Sequence, residues 1–194
     1  MARDSFGAEV KKREIRGYRI FAEKEGDVFK WDNTFKNIIR FVSEAGKKYA
    51  AGINKIIEAR RQGTLILGHG AGRCWASYIF SKAGYNVVAL DLSLDDVVGL
   101  KAGNTIIKNT KVYFDRVLGD GEYAPFKNEA FDAVFACRLL HHAYDLDRMV
   151  KEVARMVKRD SIFVAVSEQK RGIFHRESSL KKKHLATSFG VNER

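Results

Sequence analysis

The residues with the clearest chemical potential are three glycines at alternate positions and an aspartate further along the chain. Gly68, Gly70 and Gly72 follow a short apolar run, and Asp91 stands at the end of a second one. Glycine has no Cβ and permits positive φ, so a ligand can lie against such a loop. A carboxylate at the end of the next strand can accept hydrogen bonds from ribose hydroxyls. The pattern is typical of a nucleotide-binding βαβ unit, although glycines alone occur in any tight turn.

A second polar segment separates this pattern from that of dinucleotide-binding domains. Gly-x-Gly-x-Gly differs from the Gly-x-Gly-x-x-Gly spacing that such domains use. Residues 119–122 read Gly-Asp-Gly-Glu and follow a predicted third strand. An acidic segment in that position has no role in a nicotinamide-dependent dehydrogenase, so hydride transfer is the poorer interpretation.

Two adjacent histidines are the candidates for acid–base chemistry. His141 and His142 lie just beyond the fourth predicted strand, and imidazole titrates in the range that a general base requires. A role in capping or packing near the helix that follows is equally compatible with the pattern. Glu122 and Tyr18 are weaker candidates, and the sequence shows no set of residues with metal-ligand spacing.

The elements that must position these residues alternate between strands and helices. Short apolar runs predict strands at residues 64–67, 86–90, 111–118, 131–137 and 161–166. Helical periodicity predicts helices over residues 34–62, 73–82, 94–100 and 147–158, with a polar loop at residues 101–110. Asn33 or Thr34 is the expected N-cap of the first helix, and Gly63 its end. Such alternation predicts a parallel sheet with helices on both faces. The informative segments then follow the carboxyl ends of strands, where sheets of this kind bind ligands.

Composition indicates a globular chain with one α/β domain and an added segment. Apolar residues make up 45% of the 194 residues. The sequence contains no run of about 18 apolar residues, so no membrane span is predicted. The first residues lack the apolar core of a signal peptide. Cys74 and Cys137 have no metal-ligand spacing, which favours buried thiols in a reducing cytoplasm over a disulfide.

The chain is basic, with 35 Lys and Arg residues against 24 Asp and Glu residues and a formal net charge of +11. A basic chain attracts RNA, DNA or anionic metabolites, but acids are interspersed over most of this sequence. The concentrated cluster is Lys181, Lys182 and Lys183. A solvated surface rich in lysine is the favoured interpretation, with RNA as a less favoured partner.

Residues 119–142 resemble a segment of a known family. They read GDGEYAPFKNEAFDAVFACRLLHH, which resembles the Gly-Asp-Ala-Glu-x-Leu-Pro-Phe…Phe-Asp-x-Val segment of class I S-adenosylmethionine-dependent methyltransferases. The nearest group is the methyltransferase type 11 enzymes. The resemblance covers about residues 63–168 and implies a Rossmann-like, doubly wound, mostly parallel sheet in three α/β/α layers. Residues 1–62 would be an arm and helix that pack on this core, and residues 169–194 a basic C-terminal segment.

The resemblance implies S-adenosyl-L-methionine as cofactor, S-adenosyl-L-homocysteine as product, and a small molecule or, less favoured, RNA as methyl acceptor. The glycines would pass under the methionine part of the cofactor. Asp91 would bind both ribose hydroxyls, and Asp120 would accept the adenine amino group. The implied cofactor-binding residues are Gly68, His69, Gly70, Gly72, Asp91, Leu92, Asp120, Gly121, Glu122, Cys137 and Arg138.

The remaining roles are implied by position in the family pattern. Leu92 would touch the adenine ring, and Gly121 would offer it a backbone N–H. Cys137 and Arg138 would edge the methionine moiety. The two histidines match the Leu-His-His segment of the family, near the substrate side.

Three departures from the family pattern leave an alternative open. Ile66 stands where the family usually has an acid that anchors the cofactor's ammonium group. Lys158, Arg159 and Asp160 replace a Lys-Pro-Gly-Gly turn, which should change only that turn. The C-terminal antiparallel hairpin of the family is not evident, so the sheet would be shortened or completed by another copy in a homo-oligomer. The alternative function is therefore a degenerate cofactor-binding module or an inactive methyltransferase domain.

Overall fold

The computed structural model describes residues 9–13, 15–16 and 34–168 of the chain. Residues 9–13 and 15–16 are helical. None of the helices in these ranges combines the length and apolar character that a membrane span requires. Tyr18, the lysine cluster at residues 181–183 and the expected absence of the C-terminal hairpin all fall outside the described residues.

A five-stranded sheet forms the centre of the described fold. The strands are β1 (Leu65–His69), β2 (Asn86–Asp91), β3 (Asp115–Leu118), β4 (Phe131–Cys137) and β5 (Val157–Val166). Their order is β3-β2-β1-β4-β5, and every neighbouring pair is parallel. The predicted doubly wound parallel sheet is confirmed. Strand order reverses between β1 and β4, which opens a crevice at their carboxyl ends.

Helices cover both faces of the sheet, as predicted. They are α1 (Phe35–Lys48), α2 (Ala50–Ala59), α3 (Trp75–Lys82), α4 (Ala102–Thr110) and α5 (Leu146–Met156). Two short 3-10 turns, Gly121–Tyr123 and Leu140–His142, follow β3 and β4. Helices α1 to α4 share one apolar cluster with the sheet, and α5 shares another with the opposite face.

The larger cluster is centred on an aromatic contact. Phe135 of β4 is 2% exposed. Its ring meets Trp75 edge-on at 5.9 Å and Phe80 at 5.4 Å between centroids. Such pairs contribute beyond their buried area, so α3 is fixed in position where it begins, directly after the glycine loop.

The predicted single helix over residues 34–62 is two helices. Thr34 is the N-cap, as expected, and accepts a hydrogen bond from the Asn37 N–H. The backbone leaves the helical conformation at Tyr49, with φ −110° and ψ 18°. The break redirects the chain so that α2 packs on β5, where Gly52 faces Val166 so closely that a Cβ would lie 2.4 Å from the valine Cγ1.

At residues 94–110 the structure is the opposite of the prediction. The predicted helix at residues 94–100 is a set of turns, and the predicted loop at residues 101–110 contains α4. The Asp95 carboxylate accepts hydrogen bonds from the Val97 and Val98 N–H groups. A side chain that binds nearby backbone in this way competes with helix formation. Residues 102–110 form an amphipathic helix whose buried residues are Ala102, Gly103 and Ile106. Their polar composition led to the prediction of a loop.

The third and fifth strands also differ from prediction. β3 begins later, at Asp115, and β5 begins earlier, at Val157. Residues 158–160 therefore lie within a strand, and the expectation of a turn there is wrong. The register with β4 shifts between Phe131 and Ala133, and Asp160 has φ +57°. An irregularity in strand pairing accommodates these charged residues.

Replacing Phe135 with alanine should lower the free energy of unfolding by about 3–5 kcal/mol, because the truncation leaves a cavity in the aromatic cluster. Urea denaturation would measure the loss. Tyr113→Ala is the control, since Tyr113 is 70% exposed and should change stability by less than about 0.5 kcal/mol. Equal losses in both variants would contradict this description of the core.

Candidate functional site

A cavity of about 400 Å³ lies at the carboxyl edge of the sheet. Segments that follow β1, β2, β3 and β4 line it, together with α1 and the helical residues near Lys11. Asp91 and Asp120, which are distant in sequence, both line it. The predicted site residues in its wall are His69, Gly70, Gly72, Asp91, Leu92, Asp120, Gly121, Glu122, Cys137, Arg138 and His142. Gly68 and His141 lie outside this wall.

The glycine loop bends over the end of β1. Gly70 and Gly72 have φ of +67° and +48°. A Cβ on Gly70 would lie 2.5 Å from Cδ1 of Leu139, in the loop after β4. Gly68 lies within β1 instead, where a Cβ would come 3.2 Å from the Ser77 Oγ. Gly68 therefore allows the helix to approach the strand, while Gly70 and Gly72 shape the cavity.

The Asp91 carboxylate holds this loop in place. One oxygen accepts the Gly72 N–H at 2.7 Å, and the other accepts the Ser93 N–H at 2.8 Å. Burial raises the pKa of Asp91, and these backbone hydrogen bonds oppose the rise. A carboxylate offers about four lone-pair sites, so both oxygens keep capacity for ligand hydroxyls.

Asp120 and Glu122 share one cation. The Lys11 ammonium lies 2.9 Å from both Asp120 oxygens and 3.0 Å from Oε1 of Glu122. Asp120 also accepts the Glu122 N–H, and Oε1 of Glu122 accepts the Tyr144 N–H at 2.7 Å. Since the Glu122 residue is only 2% exposed, Lys11 compensates a charge that burial would otherwise destabilise. Sequence reasoning missed Lys11, because nothing local in its mixed-charge segment indicates a partner so far away.

His69 supports the floor of the cavity. It is 1% exposed, and a Cβ on Gly121 would lie 2.2 Å from its Nε2 atom. Glycine is thus required at position 121 by the imidazole beneath it. Burial lowers the pKa of His69 to about 4, although the nearby Asp120 carboxylate opposes the change. His69 is therefore neutral near pH 7.

Glu168 organises the loop that carries the two histidines. Its Oε1 accepts the Leu139 N–H at 2.8 Å, and its Oε2 accepts the His141 N–H at 3.2 Å. Oε2 also lies 2.8 Å from Nδ1 of His141, and the rings of His141 and His142 are 4.1 Å apart. His142 reaches the cavity, while His141 is held behind it. The sequence indicated the histidines but not Glu168, which follows β5 without any motif.

Aromatic side chains line another part of the wall, beside the charged side chains of Glu44, Lys48 and Arg73. Tyr49 and Trp75 pack with ring centroids 5.5 Å apart, and the Arg73 guanidinium lies 4.9 Å from the centroid of Phe41. Cys137 contributes a thiol whose pKa burial raises to about 12. That value excludes a thiolate nucleophile near neutral pH.

Cys74 and Cys137 are free thiols. Cys74 is buried, as predicted, whereas Cys137 is only partly buried. Within residues 9–13, 15–16 and 34–168, no cluster of His, Cys, Asp or Glu is arranged to hold a metal ion.

Comparison with known proteins establishes the family. The family described as "Methyltransferase domain", of the methyltransferase type 11 group, matches residues 67–165, just over half of the chain. The chain belongs to this family of class I S-adenosylmethionine-dependent methyltransferases.

Relatives and solved structures agree with that class. Demethylmenaquinone methyltransferase of Thermobifida fusca (strain YX) is 34% identical over 98 residues, which are 50% of this chain and 40% of that protein. The chain thus matches well under half the length of this curated relative.

Two structures share the fold. Geranyl diphosphate C-methyltransferase of Streptomyces coelicolor A3(2), solved with Mg²⁺, geranyl diphosphate and S-adenosyl-L-homocysteine, gives a TM-score of 0.56 at 16% identity. The match covers 81% of this chain and 58% of that one. The PH0226 protein of Pyrococcus horikoshii OT3 gives 0.56 at 20% identity, covering 63% and 56% of the two chains. The predicted Rossmann-like fold is confirmed.

Gly70→Ala should destabilise the protein more than Gly63→Ala. Both glycines have positive φ, with +83° at Gly63, so each variant incurs a backbone strain of about 1–2 kcal/mol. Only the Gly70 variant also collides with Leu139, because nothing lies within 4 Å of a Cβ at position 63. Moving the half-buried Leu139 side chain aside should add to that loss. Urea denaturation of the two variants measures the difference, and equal losses would contradict the contact with Leu139.

Stability should fall as pH decreases from 6.5 toward 4, because the unfolded chain then takes up a proton that folded His69 does not. The folded pKa of about 4 against the ordinary 6.5 corresponds to about 3 kcal/mol, present above pH 6.5 and lost in this window. The His69→Asn variant should lose less over the same window. Unfolding free energies of both proteins at several pH values provide the measurement, and parallel pH profiles would refute the assignment.

Proposed function

We propose that this chain binds S-adenosyl-L-methionine in the cavity and transfers its methyl group to a small-molecule acceptor. The observation that carries the proposal is the convergence of Asp91, Asp120 and the glycine loop on one cavity. Family membership supports the same reaction class. We also propose that the protein is cytoplasmic and that its cofactor-binding core extends from residue 63 to residue 168, between an N-terminal and a C-terminal segment.

The cavity suits an adenosine-containing ligand in size and in polar groups. Its volume of about 400 Å³ lies within the range of small-molecule sites. Asp91 would accept hydrogen bonds from the ribose hydroxyls, and Asp120 from the adenine amino group. Leu92 is 40% exposed at the cavity and would cover a face of the adenine ring. Gly121 would offer a backbone N–H to the ring, beside the buried Glu122.

When bound, this cofactor supplies an electrophilic methyl group on a sulfonium that leaves readily, so positioning accounts for much of the rate. Cys137 and Arg138 would edge the amino-acid end of the cofactor. His142, in the cavity wall, would take the proton of an acceptor that must lose one. Glu168 would keep the proton of His141 on Nδ1, since an ionised carboxylate only accepts hydrogen bonds.

A small molecule is the favoured acceptor because the aromatic side chains of Phe41, Tyr49 and Trp75 line part of the cavity. The relative from Thermobifida fusca and the structure from Streptomyces coelicolor are named for small-molecule substrates. RNA is the less favoured acceptor and is tested alongside small molecules. Binding to RNA would weaken steeply with rising salt.

One observation favours the alternative of a cofactor-binding module without transfer activity. Ile66 is fully buried in the apolar core, and it replaces the family's acidic anchor. A module of this kind would bind S-adenosyl-L-homocysteine but transfer no methyl group, whereas the enzyme would do both.

Calorimetric titration with S-adenosyl-L-homocysteine should show binding that Asp91→Asn weakens by about ten- to a hundredfold, because hydrogen bonds to a charged acceptor contribute about 1.5–3 kcal/mol. Asp115→Asn is the matched control, since Asp115 is exposed on β3, outside the cavity wall. Thermal unfolding of each variant would verify that the fold is retained.

Transfer from radiolabelled S-adenosyl-L-methionine to a panel of quinones, isoprenoids and RNA would then separate enzyme from module. Labelled small-molecule product supports the proposed function. No binding by the wild-type protein would refute both interpretations, and binding without any labelled product would favour the module.

A further inference from the structure

Arg73 is a buried cation that the roles described above leave unassigned. It directly follows the glycine loop, is 4% exposed, and lines the cavity. Its guanidinium lies over the ring of Phe41 on α1, 4.9 Å from the centroid. Guanidinium stays charged at all relevant pH values and matches a carboxylate in a two-point contact. Its position between loop and helix therefore favours an anionic group of the ligand at this end of the cavity.

The same end of the cavity lacks a fixed acid from β1. Ile66 pairs with Val87 and Ala133 in the sheet and is buried among apolar side chains. A ligand ammonium group therefore meets no carboxylate at position 66. Arg73 is a buried cation in the cavity wall, which Lys48 and Arg138 also line.

The other acids of the cavity belong to segments other than β1. Asp91 accepts backbone N–H groups of the loop and of the segment after β2. Asp120 and Glu122 share the Lys11 ammonium. Glu44 lines the cavity from an exposed position on α1. None of these is placed on β1, where the family's acid would stand.

We propose that Arg73 binds the carboxylate of the cofactor's methionine moiety, so that this chain recognises the amino-acid end by its carboxylate more than by its ammonium. The inference rests on the proposed function, in which the glycine loop carries the methionine moiety. Arg73 is the next residue after that loop. A guanidinium has five N–H donors, so it can bind the carboxylate in addition to the contacts that it makes within the protein.

Four ligands in calorimetric titrations test the assignment. They are S-adenosyl-L-homocysteine, its analogue without the carboxylate, its analogue without the α-amino group, and 5′-methylthioadenosine, which lacks the whole amino-acid end. In the wild-type protein, loss of the carboxylate should weaken binding by about ten- to a hundredfold, as charge-assisted hydrogen bonds to Arg allow. Loss of the amino group should weaken it by less than about threefold, because position 66 offers no acid.

The variant Arg73→Met should lower affinity for S-adenosyl-L-homocysteine by the same factor as removal of the carboxylate. Its affinity for the decarboxylated analogue and for 5′-methylthioadenosine should remain at the wild-type value. Arg73→Lys should fall between the two, since an ammonium keeps the charge but not the two-point geometry. Arg148→Met is the matched control: Arg148 also lies over an aromatic ring, 4.7 Å from Tyr123, but outside the cavity wall.

The outcomes separate the inference from the proposed function. A uniform loss of affinity for all four ligands in Arg73→Met would show a structural role and overturn the inference while leaving the function intact. A wild-type preference for the amino group over the carboxylate would also overturn it, and this comparison decides the matter even if the variant fails to fold. Binding of none of the four ligands, 5′-methylthioadenosine included, would remove the proposed function itself.

Discussion

The Asp91 carboxylate joins two of the segments that build the candidate site. By accepting the N–H groups of Gly72 and Ser93, it ties the loop after β1 to the turn after β2. Parallel pairing of β1 and β2 brings these ends to one edge, but pairing alone does not fix the loops beyond the strands. A buried carboxyl group is unfavourable unless hydrogen-bonded, so the loop conformation stabilises Asp91 and Asp91 stabilises the loop.

The part of the cavity near Asp120 is organised by charge in a different way. Asp120 and Glu122 face the same Lys11 ammonium, and the Glu122 carboxylate also holds the segment before α5 through Tyr144. The compensating Lys11 ammonium belongs to the helical residues 9–13, which precede the first strand of the sheet. The two ends of the cavity thus differ: backbone N–H groups stabilise one carboxylate, and a long flexible side chain stabilises the other two.

The sequence predicted five strands in parallel arrangement, and the bounds were most accurate for β1, β2 and β4, because a strand covered on both faces is continuously hydrophobic. β3 is largely exposed and begins later than predicted, and β5 begins earlier. The sequence was not sufficient where local hydrogen bonds or long-range packing decide. At residues 94–100, where a helix was predicted, the Asp95 carboxylate instead accepts hydrogen bonds from two nearby backbone N–H groups. The break at Tyr49 follows from packing of α2 on β5, which no local pattern records.

The residues of the candidate site were also predicted only where a local pattern or the strand topology indicates them. Glycines and acids at strand ends were evident because topology places all such residues at one edge. Lys11, Arg73 and Glu168 were missed, since each depends on a partner or neighbour that only the folded chain brings near. Their residue types are common on protein surfaces, so only the burial of Arg73 and the contacts of Lys11 and Glu168 in the folded chain set them apart.

The contact between His69 and Gly121 constrains how this family member can diverge. The imidazole occupies the space that any side chain at position 121 would need. A larger residue at 121 is compatible with the fold only after position 69 becomes smaller. Substitutions at these two positions must therefore arise together or in a fixed order, and shape rather than charge sets that order.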